Sequence, residues 1–66
     1  MEKGRIRSIT GHDSSGTIAD GEGRLINFSN SSIVGRDRLG LRMGDLVWFE
    51  RIGTHASSNA INIRKC

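Results

Sequence analysis

The chain has 66 residues, the length of one small domain, and ten Lys and Arg against seven Asp and Glu give a formal net charge of +3. Cys66 is the only cysteine, so the composition excludes a disulfide within the chain and a metal site of the usual Cys/His kind. There is no apolar run long enough to cross a bilayer and no charged-then-apolar leader, so we expect a soluble, cytoplasmic protein.

Nine glycines separate short apolar runs and proline is absent, a punctuation that is typical of β proteins. The first predicted strand is Gly4–Thr10. Its apolar residues Ile6 and Ile9 are three positions apart, which breaks strict alternation and predicts a bulge or a sharp bend near Arg7–Ser8. After a polar turn, a short second strand is predicted at Ser15–Asp20.

Asp20 and Gly21 form a favoured turn dipeptide, which leads to a third predicted strand at Leu25–Ser29. In this strand Ile26 and Phe28 alternate with polar residues. A period of two is typical of a strand with one buried face, so these two side chains are expected to point inward.

The segment Asn30–Val34 is too short for a full helix, and we expect a single tight helical turn capped by Asn30 or Ser31. A long loop bearing glycine and arginine follows at Gly35–Gly44. Two leucines of this loop are candidate anchors: Leu39 and Leu41.

The clearest strand is Asp45–Ile52, with Val47 and Phe49 on one face and Trp48 and Glu50 on the other. The next two segments complete the chain: a loop at Gly53–Ser58 and a fifth strand at Asn59–Arg64.

Strands this short hide their apolar faces only if the sheet closes on itself. We therefore expect residues 1–66 to form one all-β domain, a small five-stranded antiparallel Greek-key barrel of the OB-fold type, with one short 3-10 turn after the third strand. The expected core consists of inward apolar residues: Ile6, Ile9, Ile18, Ile26, Phe28, Ile33, Val47, Phe49, Ile61 and Ile63.

Framework residues along nearly the whole chain, from about Gly4 to Lys65, occur in the order and spacing of one family. They are Gly4-x-Ile6, Gly16-x-Ile18, Ser31-x-Ile33, Leu41-x-x-Gly44-Asp45-x-Val47-x-Phe49-Glu50 and Ala60-x-Asn62-Ile63. In these residues the chain resembles the bacterial cold-shock domain. The resemblance implies the barrel expected above and binding of single-stranded RNA or DNA, whose bases stack on aromatic side chains of the first three strands.

The chain departs from the family where the family carries its stacking rings. Polar or charged residues stand at these positions: Ser8, Ser15, Thr17, Asn27, Ser29, Asn30 and Arg38. The lysine of the family's second-strand motif is Asp13. Since each stacking ring contributes about 1–3 kcal/mol per base, this loss predicts weak binding unless other groups compensate.

Basic residues remain beside this polar surface, and Arg5 and Arg7 match basic positions of the family's binding face. Arginine bonds phosphate oxygens and also stacks on bases, so Lys3, Arg5, Arg7 and Arg38 are candidate contacts. The candidate nucleic-acid-binding residues are Arg5, Arg7, Ser8, Ser15, Thr17, Asn27, Ser29, Asn30, Arg38 and Trp48. The alternative for each polar or basic residue is an ordinary solvated strand face.

Trp48 is predicted to face outward, and three interpretations stay open. In the first, the ring is a relocated stacking platform for bases; in the second, it anchors a protein partner or a homodimer. In the third, it lies over neighbouring side chains such as Arg5 or Arg7.

We expect that the protein is not an enzyme and binds no cofactor, because the sequence has no nucleophile–base pair and no glycine-rich phosphate loop before a helix. The leading hypothesis is weak or atypical binding of single-stranded nucleic acid through arginine and polar side chains. The alternative is a protein-interaction or self-associating module that has lost this binding. A third hypothesis, which the framework spacing disfavours, is a barrel acting on structured RNA that resembles a translation initiation factor or an S1-type domain.

Overall fold

Five strands form a closed barrel in the computed structural model, which describes residues 1–10, 15–35, 40–54 and 57–66. The strands are β1 (Glu2–Ile9), β2 (Gly16–Ala19), β3 (Leu25–Phe28), β4 (Leu46–Thr54) and β5 (Ser57–Lys65). A 3-10 turn at Asn30–Ser32 follows β3. The all-β, five-stranded barrel with one 3-10 turn that the sequence predicts is confirmed.

The strands follow the order β1-β2-β3-β5-β4 around the barrel, and β4 closes it by pairing with β1. Four of the pairings are antiparallel, whereas β3 and β5 run parallel, with Asn27 opposite Asn59. An additional parallel bridge joins Ile33 to Ile63 just after the 3-10 turn. This arrangement corresponds to a small OB-fold-like barrel. Because the barrel is closed, each of the five strands pairs with a neighbour on both sides.

The predicted bulge in β1 is confirmed. Ile6 pairs with Ile18, but the next partner, Thr17, pairs with Ser8, so one extra residue lies in β1 between them. The extra residue lets Ile6 and Ile9 both face the interior although they are three positions apart. Beyond the bulge Gly16 lies opposite Ile9, where a Cβ atom would overlap the Ser8 carbonyl group, so the close approach requires glycine.

The core is a single cluster of buried side chains: Ile6, Ile18, Ile26, Phe28, Ile33, Leu41, Val47, Phe49, Ala60 and Ile63. Ile9 is partly buried and packs against this cluster, and the anchoring role expected of Leu41 is confirmed. The prediction for Ile61 is wrong, because Ile61 is only half-buried and Ala60 takes the core position. The cause is Asn62, whose φ of 52° lies in the left-handed region and breaks the alternation along β5.

Two further local predictions are wrong. The described residues of the predicted loop Gly53–Ser58 belong to strands instead, because Gly53 pairs with Ser58 and Thr54 with Ser57. Backbone bonds of such a ladder form without any apolar pattern in the side chains, which is why the pattern missed them. The residue at the N-cap of the 3-10 turn is Ser29 instead of Asn30 or Ser31, and its side chain makes no capping hydrogen bond.

Leu39 lies outside the described residues, so its predicted role as an anchor is not addressed. Within the described ranges, no helix has the length and apolarity that crossing a membrane needs.

Candidate nucleic-acid interface

The outer face of β1, β2 and β3 carries the polar residues that the sequence singled out. Ser8 on β1 pairs with Thr17 on β2, and Thr17 pairs with Asn27 on β3. The row continues through the parallel pairing to Asn59 on β5. Since side chains of neighbouring strands that are in register lie side by side, the barrel brings these four polar side chains into one line across its surface.

Several hydroxyl groups of this face already bond one another. The oxygen atoms of Ser8 and Thr17 are 2.8 Å apart. Near the start of β2, the Thr10 hydroxyl donates to the Ser15 carbonyl oxygen at 3.1 Å and lies 3.2 Å from the Ser15 hydroxyl. These hydroxyl groups keep lone pairs for a ligand, but a new bond replaces one to water or to a neighbouring group, so each contact yields only a small net gain in free energy.

The polar residues after β3 are arranged differently from a flat binding face. Ser29 is exposed, but its hydroxyl lies 3.0 Å from that of Ser31 and 3.4 Å from that of Ser32. Asn30 is half-buried, and its Oδ1 atom is out of contact with solvent and has no hydrogen-bond partner among the described residues. The structure therefore places Ser29 and Asn30 at the 3-10 turn after β3, where the Ser29 hydroxyl bonds other side chains of the turn.

The two predicted arginines of β1 are both exposed. Arg5 donates from Nη1 to the Gly44 carbonyl oxygen at 2.6 Å, a bond that holds its guanidinium beside the start of β4. Arg7 lies at the bulge, and its side chain has no polar partner within the described part of the chain. Arg38, the third predicted arginine, falls outside the described residues, as does Asp13.

Acidic groups are almost absent from these three strands. Glu2 is the only carboxylate within β1, β2 and β3, and both of its oxygens accept hydrogen bonds from Arg51, at 2.8 and 2.9 Å. No carboxylate of these strands is therefore left to neutralise Lys3, Arg5 and Arg7. An excess of cations over free carboxylates on these strands attracts polyanions through its local field.

Trp48 faces outward from β4, as predicted, and its exposed fraction is 40%. Its cross-strand neighbours are Lys3 on β1 and Arg64 on β5. The Lys3 Nζ atom lies 5.1 Å from the centre of the indole ring, which is a cation–π distance. The ring therefore lies against a neighbouring side chain, as the third interpretation expects, and the basic side chain that the structure places over it is Lys3, where that interpretation gave Arg5 and Arg7 as examples.

A cluster of ionised groups at one end of the barrel was not predicted. Arg51 on β4 bonds Glu2 on β1 and also Asp20, whose Oδ2 atom accepts from Nη2 at 2.8 Å. The other oxygen of Asp20 accepts the backbone N–H groups of Glu22 and Arg24, both at 2.9 Å. In the sequence, the alternation that turns Val47 and Phe49 inward also predicts an inward side chain at Arg51, and an inward arginine indicates that carboxylates lie nearby.

These contacts change how the cluster ionises. The Arg51 guanidinium and, next in importance, the Arg24 backbone N–H hold the pKa of Asp20 below its ordinary value of 3.8. Bonds to Glu2 and then to Asp20 raise the pKa of Arg51 above its ordinary range. Both groups stay charged at neutral pH, and the cluster ties β1 and the turn after β2 to β4.

The described residues contain no group of three or more His, Cys, Asp or Glu side chains arranged to hold a metal ion. Cys66 is an exposed free cysteine. The chain matches no model of a known protein family and no curated protein.

Proposed function

We propose that this chain is a cytoplasmic, non-enzymatic, cold-shock-like module that binds single-stranded RNA or DNA through arginine and polar side chains instead of stacked rings. The OB-fold-like barrel agrees with this proposal but does not carry it, because one fold hosts many functions. The surface of the first three strands supplies the argument.

The observation that carries the proposal is the charge of that surface. Lys3, Arg5 and Arg7 project from one strand, while the only carboxylate of β1, β2 and β3 is bonded to Arg51 at the end of the barrel. Arginine suits phosphate because its planar fork bonds two oxygens. Phosphate contacts of this kind give binding that does not depend on sequence and that weakens steeply with salt.

The polar residues beside the arginines favour weak binding. Ser8 and Thr17 hold each other at 2.8 Å, and Asn27 is exposed on the next strand. Hydroxyl and amide groups bond sugars, phosphates and base edges, but in exchange for water or for each other. Without rings at these positions, the contribution of about 1–3 kcal/mol per stacked base is missing from this face.

The test is a titration of a short fluorescein-labelled oligothymidine, followed by fluorescence anisotropy over a series of salt concentrations. We expect the anisotropy to rise at low salt and log K to fall linearly with log salt, by about 0.7 per phosphate contacted. Replacing Arg7 by Gln should lower the affinity and reduce the slope by about 0.7. Arg24→Gln is the matched control, since it removes one exposed charge from the β2–β3 turn.

The proposal fails if millimolar protein produces no change in anisotropy at low salt. It also fails if Arg24→Gln weakens binding as much as Arg7→Gln, because binding would then follow net charge alone. In that case the self-association alternative is tested by light scattering over a range of protein concentration. A reductant in that experiment prevents intermolecular disulfides at the exposed Cys66.

A further inference from the structure

Of the three Phe and Trp side chains in the sequence, Trp48 is the exposed one. Phe28 and Phe49 are buried in the core, at 5% and 0% exposure, while Trp48 is 40% exposed. Its partners across the two adjacent strands are both cations, Lys3 on β1 and Arg64 on β5. We refer to Lys3, Trp48 and Arg64 as the basic–aromatic row.

We propose that the basic–aromatic row is a binding position for one nucleobase and its flanking phosphates, on the outer face of β1, β4 and β5. This inference rests on the function proposed above and adds a stacking platform outside the β1–β3 face. Trp48 would stack the base, while Lys3 and Arg64 would contact the phosphates on either side of it. Every base has a π-face, so such a position accepts single strands of any sequence.

The charges around the ring decide which partner fits it. Within the described residues, the Lys3 side chain contacts the indole ring and makes no hydrogen bond or ion pair. The Arg64 side chain likewise makes no hydrogen bond or ion pair with these residues. A second copy of this chain would bring two such cationic rows together, which like-charge repulsion opposes. A polyanion with flat aromatic groups instead matches both the charge and the ring, and single-stranded nucleic acid has both properties.

The position of Lys3 over the ring suggests how binding would proceed. Its Nζ atom lies 5.1 Å from the ring centre, in a cation–π contact that is weak at an exposed site. A phosphate oxygen offers the ammonium group a short, charge-assisted hydrogen bond, which the face of the indole ring does not. A phosphate therefore draws the ammonium group off the indole and uncovers the ring for a base.

The row is continuous with the surface proposed to bind phosphates. Lys3, Arg5 and Arg7 are exposed and alternate with the buried Gly4 and Ile6, so the three cations share the outer face of β1, which pairs with β2 on one side and with β4 on the other. Arg5 is opposite Leu46, two residues before Trp48. One strand of nucleic acid crossing β1 would thus meet both the arginines and the ring.

The test compares two labelled ligands of equal length and charge, oligothymidine and an oligonucleotide composed only of abasic sites. Binding is measured by anisotropy for the wild-type protein and for Trp48→Ala, Trp48→Phe and Ile52→Ala. Ile52 is 47% exposed on the same strand and serves as the control for loss of exposed apolar area. Thermal unfolding followed by circular dichroism establishes that each variant is folded.

We expect Trp48→Ala to bind oligothymidine about tenfold more weakly, which is the loss of one stacked base, and to bind the abasic ligand within about twofold of the wild type. Trp48→Phe should keep most of the affinity and Ile52→Ala all of it. In the wild-type protein, oligothymidine should quench the Trp48 emission more than the abasic ligand does.

A second set of variants tests the cations. Lys3→Gln and Arg64→Gln should each weaken binding and reduce the salt slope by about 0.7. Glu50 is the exposed carboxylate two residues along β4, where Asn62 donates to its Oε2 atom at 3.4 Å. Glu50→Gln removes this negative charge beside the row, so it should tighten binding.

The two proposals fail in different ways. If oligothymidine binds but Trp48→Ala binds it as tightly as the wild type, the row is not a binding position and the proposed function stands. Equal quenching by the two ligands also overturns the row, because it shows a response to charge without stacking. If neither ligand changes the anisotropy at low salt, the proposed function fails and the row fails with it.

Discussion

Gly4 shows how closely the barrel packs at a single residue. It lies in β1 opposite Val47 of β4. A Cβ atom at this position would lie 2.6 Å from Ile18 Cγ2, 2.7 Å from the Ala19 carbonyl oxygen and 2.9 Å from Phe49 Cε1. One of these neighbours is backbone and the other two belong to fully buried side chains, so none can move without disturbing the core. The requirement at Gly4 is therefore steric.

Replacing Gly4 by Ala should destabilise the protein by about 1–3 kcal/mol, the usual cost of adding an atom to a packed core. The free energy of unfolding in urea measures this. Gly21→Ala is the control, because nothing lies within 4 Å of its added Cβ atom. That change should leave the stability unchanged or raise it by about 0.4–1 kcal/mol, since alanine restricts the unfolded chain. Equal stability of Gly4→Ala and wild type would contradict the close packing described here.

Within the elements, β5 is the strand whose course depends most on one backbone conformation. Asn62 has a φ of 52°, the left-handed region, and lies between Ile61, which is half-buried, and Ile63, which is fully buried. This single residue shifts the alternation so that Ala60 and Ile63 both face the core. Asparagine adopts this conformation more readily than most residues, which explains its place in an otherwise extended strand.

The pair Asn62→Ala and Asn62→Gly should separate backbone strain from the lost side chain. Both variants remove the bond to Glu50, but only alanine retains a Cβ atom that is strained at positive φ. We expect the alanine variant to be about 1–2 kcal/mol less stable than the glycine variant. Thermal and urea unfolding of both proteins give the difference. A lower stability of the Asn62→Gly protein than of the Asn62→Ala protein would contradict a left-handed conformation at this position.

The elements that the sequence predicts well are those in which side chains alone decide the structure. Period-two alternation located β3 and the inward face of β4, and the three-residue spacing of Ile6 and Ile9 located the bulge. The Ile61 assignment failed because a backbone conformation interrupted the alternation. The sequence does not predict the pairing of Gly53 and Thr54 with Ser58 and Ser57, because this part of the ladder depends on backbone bonds that carry no side-chain pattern.

The candidate site shows the same limit. Alternation was enough to place Thr17 and Asn27 on the outer face of the sheet and Trp48 outside the barrel. That Lys3 and Arg64 flank the ring follows only from the register of β4 with β1 and β5, which depends on how the barrel closes. The sequence therefore predicts Arg64 as the end of a strand but not as a neighbour of the tryptophan.

At the scale of the whole molecule, two groups of charged residues lie in different parts of the barrel. Lys3, Arg5 and Arg7 lie along the outer face of β1, whereas Arg51 is enclosed by Glu2 and Asp20 where β1, β4 and the turn after β2 meet. Carboxylates engaged in holding the strands together cannot neutralise the outer face. The same contacts that close the barrel therefore preserve the positive field on which the proposed binding depends.

Acid should destabilise the folded protein by protonating Asp20, which bonds Arg51. The Arg51 guanidinium, with backbone N–H groups, holds the pKa of Asp20 in the folded protein below the ordinary value of 3.8. The folded state therefore binds this proton less readily than the unfolded state does. The stabilisation is complete above pH 3.8 and is lost as the pH falls through the lower pKa of the folded state.

Asp20→Asn tests this, because asparagine keeps an oxygen for the N–H groups of Glu22 and Arg24 but loses the charge facing Arg51. At neutral pH the variant should unfold at lower urea than the wild type, and the two midpoints should converge as the pH drops below 3.8. Glu22→Gln removes an exposed carboxylate from the same turn and should match the wild type throughout. A gap between Asp20→Asn and wild type that stays constant down to the lowest pH would mean that the Asp20–Arg51 pair does not carry the acid response.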